Sequence, residues 1–377
     1  MKEKIWLSLA HMGGEEQKYI QEAFDTNWVV PLGPNVNAFE ELLSNYIGED
    51  KKVVALISGT AALHLALLQL GIGAGDDVIC QSFTFAASAN PIMYVGATPV
   101  FIDSEPESWN MDPALLEKAI VDRMAVTGKK PKAIMPVHLY GMPANMEAIT
   151  EIANRYAIPI VEDAAEALGS TFDNRSCGTF GEFACLSFNG NKIITTSGGG
   201  ALVCNNDDQV SKTKFYATQA RDEAPHYQHS EIGYNYRLSN ICAGIGRGQM
   251  EILADHIARR REINTIYKAL LADVPGIAFL EEPDSRYFSN HWLTCITVDS
   301  AKAGFSREQL CKAMSEENIE TRPLWKPMHL QPVFADAPYY GNGVAEKLFD
   351  NGMCLPSSPV LSNEDLERVV DVIKGSF

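Results

Sequence analysis

Four short segments of this 377-residue sequence carry side chains whose types and spacing could do chemistry. Ser58-Gly59-Thr60-Ala61-Ala62 joins a β-branched apolar run to a helical one. A helix start there offers unpaired N–H groups and the positive end of the helix dipole, and small residues let a phosphate approach. A plain helix cap would use the same residues. Val161-Glu162-Asp163-Ala164-Ala165-Glu166 places acids at the C-terminal end of an apolar strand, where α/β sheets bind ligands. A carboxylate there can face a cationic heterocycle or sit in a solvated turn. In Leu186-Ser187-Phe188-Asn189-Gly190-Asn191-Lys192-Ile193-Ile194-Thr195-Thr196 a single lysine stands among small and apolar residues. Such a lysine suits Schiff-base chemistry, although most lysines are solvated surface charges. Gly233-Tyr234-Asn235-Tyr236-Arg237-Leu238-Ser239-Asn240 combines aromatic, amide and guanidinium groups, as a ligand-contacting loop or a structural corner would.

One cofactor explains all four. Pyridoxal phosphate needs a Schiff-base lysine, an acid facing its pyridine nitrogen, a phosphate cup at a helix start and an aromatic against its ring. The sequence supplies cup, aromatic, acid and lysine in that order, with Phe85 of Ser82-Phe83-Thr84-Phe85 as the aromatic. Core packing is the competing role for Phe85. No G-x-x-x-x-G-K-[ST] or G-x-G-x-x-G occurs, which lowers the odds for nucleotide triphosphatases and nicotinamide enzymes.

The elements that would position these groups alternate. Strands are expected at 53–57, 77–81, 99–102, 133–138, 158–161, 184–188 and 201–204. Helices are expected between the early ones, at 61–70, up to 95, at 112–121 and at 146–156. That repetition predicts an α/β chain with a mostly parallel central sheet covered by helices. Two amphipathic helices are expected earlier, at 15–24 and 36–47. Residues 238–271 read as one long helix or two, followed by a strand at 292–298 and helices at 307–317 and 364–373. The expected organisation is an N-terminal segment plus large cofactor-binding domain over 1–238. The connecting helix and a smaller α+β domain then occupy 239–377.

Composition excludes other classes. Lys plus Arg total 31 against 48 Asp plus Glu, a net charge of −17, which disfavours nucleic acid and anionic membranes as partners. No apolar run approaches a membrane span, and the N-terminus lacks a secretory signal, so a cytoplasmic location is expected. The eight cysteines are scattered and read as buried free thiols, with no metal site.

The sequence resembles the DegT/StrS family of pyridoxal-phosphate-dependent sugar aminotransferases through essentially its whole length. The resemblance is carried by Ser58–His64 (SGTAALH), Gly96–Asp103 (GATPVFID), Pro136–Gly141 (PVHLYG), Glu162–Glu166 (EDAAE), Ser187–Lys192 (SFNGNK) and Gly233–Ser239 (GYNYRLS). It implies the aspartate-aminotransferase (type I) fold and a homodimer with shared active sites. Lys192 matches the family's Schiff-base lysine and Asp163 the acid paired with the pyridine nitrogen. Thr60, with the backbone of Gly59 and Ala61, matches the phosphate cup, and Ser187 its second hydroxyl. Phe85 matches the stacking aromatic, and Asn235 the residue reaching the phosphate of the neighbouring subunit. Glu166 stands near the cofactor's 3-hydroxyl, where many members carry His or Gln. A lysine at 192, rather than the histidine of dehydrating relatives, implies transamination, with L-glutamate as donor.

The wording of 189–200, 290–293 and 322–329 resembles the branch that aminates C4 of UDP-2-acetamido-2,6-dideoxy-hexos-4-ulose, in bacillosamine and legionaminic acid formation. Trp28, Arg322, Lys326 and His329 are then the candidates for the nucleotide-sugar pocket. Two alternatives stay open: a GDP-4-keto-6-deoxy sugar substrate, of the perosamine type, and a non-catalytic cofactor-binding regulator.

Overall fold

The computed structural model describes residues 2–376. Its central sheet has eight strands: β1 (Lys52–Leu56), β2 (Asp77–Gln81), β3 (Thr98–Ile102), β4 (Ala133–Met135), β5 (Val161–Asp163), β6 (Phe183–Ser187), β7 (Gly200–Cys204) and β8 (Tyr339–Tyr340). Their spatial order is β1-β7-β6-β5-β4-β2-β3-β8, with β4 and β5 joined by the parallel bridges Ile134–Ile160 and Val137–Asp163. Only β7 runs against the others. The carboxyl ends of β1, β2, β4, β5 and β6 therefore reach one edge of the sheet, which is where open α/β sheets bind ligands.

Alternation along the strands buries both faces. Val54 and Leu56 join one hydrophobic cluster with Val78, Phe101, Met135 and Leu202. Val53 and Ala55 join another with Ala184, Leu186, Ala201 and Val203. Helix α1 (Pro34–Ile47) covers the second face with Phe39 and Leu43, and α2 (Gly59–Gln69) covers the first with Ala62, Leu63 and Leu67. Helix α3 (Ala86–Tyr94) follows β2, and Ser58, Asn145 and Ser306 cap their helices through side-chain oxygens, as their residue types favour.

The segment expected as one long helix or two is two: Asn240–Glu251 and α4 (Leu253–Leu270), parted at Ile252. Beyond it, strands in the order Ile277–Phe279, Thr294–Val298, Gly352–Leu355 and Arg322–Pro323 form an antiparallel sheet with its own core. Chain from each side of residue 239 also serves the other layer. Ile5 joins the late core and bridges Ile319, and β8 extends the edge of the central sheet. All eight cysteines are free, and six are buried. Among the described residues no helix is long and apolar enough to cross a membrane.

Candidate active site

A cavity of about 590 Å³ opens at the carboxyl edge of the sheet. Gly59, Thr60, Phe85, Asp163, Glu166, Ser187 and Lys192 all line it.

The turn from β1 into α2 builds its floor. Ser58 is the N-cap, with extended backbone and its Oγ accepting from the Ala61 N–H at 3.1 Å. The Gly59 and Thr60 amides and the hydroxyls of Thr60 and Ser187 donate to no protein acceptor among the described residues. They face the cavity together with the positive end of the helix dipole, a donor set suited to a phosphate. The close approach of α2 to the sheet needs small residues. A Cβ on Gly59 would lie 2.8 Å from Cys185 Sγ, and one on Gly200 only 2.3 Å from the Gly59 nitrogen. Ala61 departs from the expected cup: its amide is already engaged by Ser58, and its side chain is buried outside the cavity wall.

Strand alternation separates the acids after β5. Glu162 faces away, accepting from the Gly178 and Gly181 amides and pairing with His138 at 3.0 Å. Asp163 faces the cavity and is buried. Its Oδ2 accepts from Ser88 Oγ at 2.6 Å and its Oδ1 from the Ala165 N–H at 3.1 Å. The Thr84 hydroxyl lies 2.6 Å from Ser88 Oγ. Because the carboxylate only accepts, Ser88 donates to it and Thr84 donates to Ser88. Sequence reasoning missed Ser88 and Thr84. Their one signal was proximity to Phe85 at the start of α3. Phe85 is 57% exposed, with its ring 5.5 Å from that of Trp325, so it is available to a flat ligand rather than spent in the core.

Lys192 is not a surface lysine. Its side chain is 11% exposed, with Nζ 3.1 Å from Glu166 Oε1 and 4.1 Å from the centre of a Trp292 ring. Glu166 Oε2 accepts from the Tyr140 N–H at 2.7 Å. Burial pushes the Glu166 carboxyl above its ordinary range, against the pull of Lys192 and of the Tyr140 amide. Trp292 and Trp325, which line the wall, were not named as site candidates, although both lie in segments whose wording carried the substrate-branch resemblance.

The remaining candidates are not all brought to this cavity. Arg322 reaches its rim, 66% exposed at the side chain and paired with Glu320 at 2.7 Å. Lys326 is exposed and lies outside the wall. His329 is also outside. Its two ring nitrogens are taken by Ser82 at 2.7 Å and Glu346 at 3.1 Å, and it stacks on Tyr339 at 3.6 Å. Its ring is structural in this chain. Trp28 is exposed beside a second groove, lined by Val29, Val30, Pro31 and Asn235. Asn235 is thus exposed and separate from its own chain's cavity.

Arg237 settles its corner. It pairs with Glu40 at 2.7 Å and donates to the Ala55 carbonyl at 3.0 Å, with both side chains at least nine-tenths buried. Arg237→Ala would leave Glu40 to the more distant Lys214 at 3.4 Å. We expect a loss of about 3 kcal/mol, the low end for breaking a buried pair, read as a lowered urea midpoint.

The cavity residues fit pyridoxal phosphate: free donors at a helix start, a buried acid, an open aromatic and a sequestered amine. Comparison with known proteins agrees. The family model described as "DegT/DnrJ/EryC1/StrS aminotransferase family" matches residues 10–374. The chain is 50% identical over 381 aligned residues to a Bacillus subtilis (strain 168) protein, covering 100% of this chain and 97% of that one. That relative is named "Putative pyridoxal phosphate-dependent aminotransferase EpsN". This chain is also 39% identical to a GDP-perosamine synthase of Escherichia coli O157:H7, covering 97% of this chain and 96% of that one. A DegT DnrJ EryC1 StrS aminotransferase from Brucella abortus superposes with a TM-score of 0.88 at 33% identity, covering 96% and 95%. The architecture is therefore the type I fold expected from the sequence.

Proposed function

Because the chain belongs to the DegT/DnrJ/EryC1/StrS aminotransferase family, we propose that it moves an amino group from L-glutamate to C4 of a nucleotide-linked 4-keto-6-deoxy sugar. The sugar we favour is UDP-2-acetamido-2,6-dideoxy-hexos-4-ulose. The chain is a pyridoxal-phosphate-dependent sugar aminotransferase. The observation that carries the reading is the placement of the Lys192 amine, 11% exposed, in one cavity with Asp163 and a free-amide helix start.

When bound, the cofactor supplies an electrophilic carbonyl for amines and a cationic ring that accepts the electrons of a broken C–H bond. The chain supplies the rest. The amides of Gly59 and Thr60, with the Thr60 and Ser187 hydroxyls, bind the phosphate. Asp163, oriented by Ser88, keeps a proton on the ring nitrogen, and Phe85 covers a ring face. Lys192 Nζ anchors the cofactor, and then takes and returns protons as general base and acid. Trp292 and Trp325 exclude water from that amine. Asn235 is exposed beside the apolar Val29 and Val30 and is not in the wall of its own cavity, which supports the reading that it serves the phosphate of a second copy in a homodimer with shared sites.

Two observations bear on the sugar. The segments whose wording favours an acetamido sugar bring Trp292, Leu293, Arg322 and Trp325 to the cavity, which supports the UDP-linked substrate. The 39% identical GDP-perosamine synthase favours a GDP-linked 4-keto sugar as the second reading. Of the nucleotide contacts expected, Arg322 is the one we retain.

The first test is the absorbance of the purified protein. A yellow band from lysine-bound cofactor is expected, and L-glutamate should bleach it. A colourless protein that added pyridoxal phosphate leaves unchanged overturns the assignment of Lys192. Competition between the UDP- and GDP-linked ketosugars for the amino form then identifies the acceptor, by which product accumulates.

A further inference from the structure

Besides Glu320, which is paired with Arg322 at the rim, two carboxylates line the cavity, and their surroundings differ. Asp163 has an uncharged donor on each oxygen, the Ser88 hydroxyl and the Ala165 amide. Glu166, 4% exposed, has an amide on one oxygen and the Lys192 ammonium on the other. Asp163 thus meets only uncharged donors, whereas Glu166 shares a contact with Lys192, the one amine in the cavity wall among the described residues.

That contact is over-determined by the backbone. Tyr140, which donates to Glu166 Oε2, sits in the left-handed region at φ 55° and ψ 20°. A bulky residue adopts it at a cost of about 1–3 kcal/mol, and only where its surroundings enforce it. Gly141 follows at φ 89°, where a Cβ would lie 1.9 Å from Asn290 Oδ1. Asn290 in turn donates to the Glu166 carbonyl at 2.8 Å and accepts from the Trp292 N–H at 2.8 Å. The Trp292 ring lies beneath Lys192 Nζ at 4.1 Å. Lysine, glutamate, strained corner, asparagine and tryptophan form one closed circuit that fixes Nζ against Oε1.

We propose that Glu166 is the acid–base partner of Lys192, taking the proton that the ammonium must lose before the amine can act as a base, and giving it back afterwards. In this step a Nζ–H bond breaks and an Oε1–H bond forms. Two opposite charges become two neutral groups, and no other atom takes part. The proposal rests on Lys192 being the transaminating amine. The titratable groups facing Glu166 are Lys192, Asp163, Tyr140 and Cys295. Burial, reinforced by the Asp163 charge, favours the neutral carboxyl, and the Lys192 charge opposes it. Discharging the lysine removes that opposition, so the transfer is self-consistent.

The test has an arm that needs no cofactor. In cofactor-free Lys192→Met protein, Glu166 has lost its ion-pair partner. We expect a protonated carboxyl at neutral pH, seen as an infrared carboxylic C=O stretch that vanishes in the Lys192→Met/Glu166→Gln double variant. A carboxylate that stays ionised in Lys192→Met cannot store the proton, and the proposal falls. The second arm uses Glu166→Gln loaded with pyridoxal phosphate. It should keep the visible band but react with L-glutamate about 10²–10⁴-fold more slowly. It should also lose the acid limb of the pH–rate profile, because the wild-type carboxyl must be ionised to accept a proton. A Gln variant with wild-type rate and an intact acid limb overturns the role. Wild-type protein that fails to react with L-glutamate would instead remove the donor assignment, leaving the infrared arm to decide the pairing.

Discussion

Lys192→Ala protein is expected to bind pyridoxal phosphate without the lysine-imine band and to transaminate at least about 10⁴-fold more slowly than wild type. Two functions vanish with one amine: covalent anchoring and proton transfer. No replacement is at hand, because Lys192 is the only amine lining the cavity among the described residues, and Arg322 at the rim is tied to Glu320. Cofactor binding should persist, since the amides of Gly59 and Thr60, the hydroxyls and Asp163 stay in place. Lys192→Arg separates charge from basicity. It keeps a cation opposite Glu166, but a guanidinium does not deprotonate, so it should be as inactive as alanine. Single-turnover reaction with L-glutamate and equilibrium dialysis of the cofactor check the two halves of the expectation. An arginine variant retaining a substantial rate would show that charge, and not proton transfer, is what Lys192 provides.

How far the sequence revealed this site follows from how local each determinant is. The apolar run Val53–Leu56 and the small-residue helix start at Ser58 are properties of a few adjacent residues, and a strand and a helix form there as expected. Lys192 was legible only through the four segments taken together and the family resemblance, since its immediate neighbours left a solvated surface lysine open. Elements without a local pattern were missed. The helix Asp207–Ala217 is largely polar and shows no apolar stripe, and β8 is two residues long, too short for any period. Its place in the sheet comes from pairing with β3, more than 200 residues earlier. His329 shows the same limit at a single side chain. The resemblance of its segment suggested a nucleotide-sugar contact, but its partners are Ser82, Glu346 and Tyr339, which only the fold assembles. The left-handed Tyr140 has no residue-type signature at all, yet it fixes Glu166. The cavity residues nearest the strand ends were singled out in the sequence, whereas the wall residues Trp292 and Trp325 were not named as candidates.

Asp163→Asn should fold normally and slow the half-reaction with L-glutamate by about 10³-fold, the scale of losing one preorganised electrostatic contact at a reacting centre. The size follows from how completely the carboxylate is committed. Oδ2 accepts from Ser88 at 2.6 Å, Oδ1 from the Ala165 amide at 3.1 Å, and Thr84 backs Ser88 at 2.6 Å. Every hydroxyl in this chain points its proton inward, so the array is built to hold a negative charge. An asparagine has the same shape without the charge, and its NH₂ must oppose either the Ser88 proton or the Ala165 N–H. One donor then loses its acceptor, and nothing keeps the ring nitrogen protonated. Ser88→Ala removes one supporting bond and leaves the charge, so a loss of about 20-fold is expected, ~1.8 kcal/mol and towards the low end for a hydrogen bond to a charged group. The order Asn far below Ala distinguishes charge from geometry, because a purely positional role for Asp163 would make the two variants comparable. Rescue is the sharper discriminator. A cofactor alkylated at the ring nitrogen is permanently cationic, so it should restore most of the rate in Asp163→Asn and none in Lys192→Ala. Failure of that rescue in the asparagine variant would mean that Asp163 acts on something other than the charge of the ring.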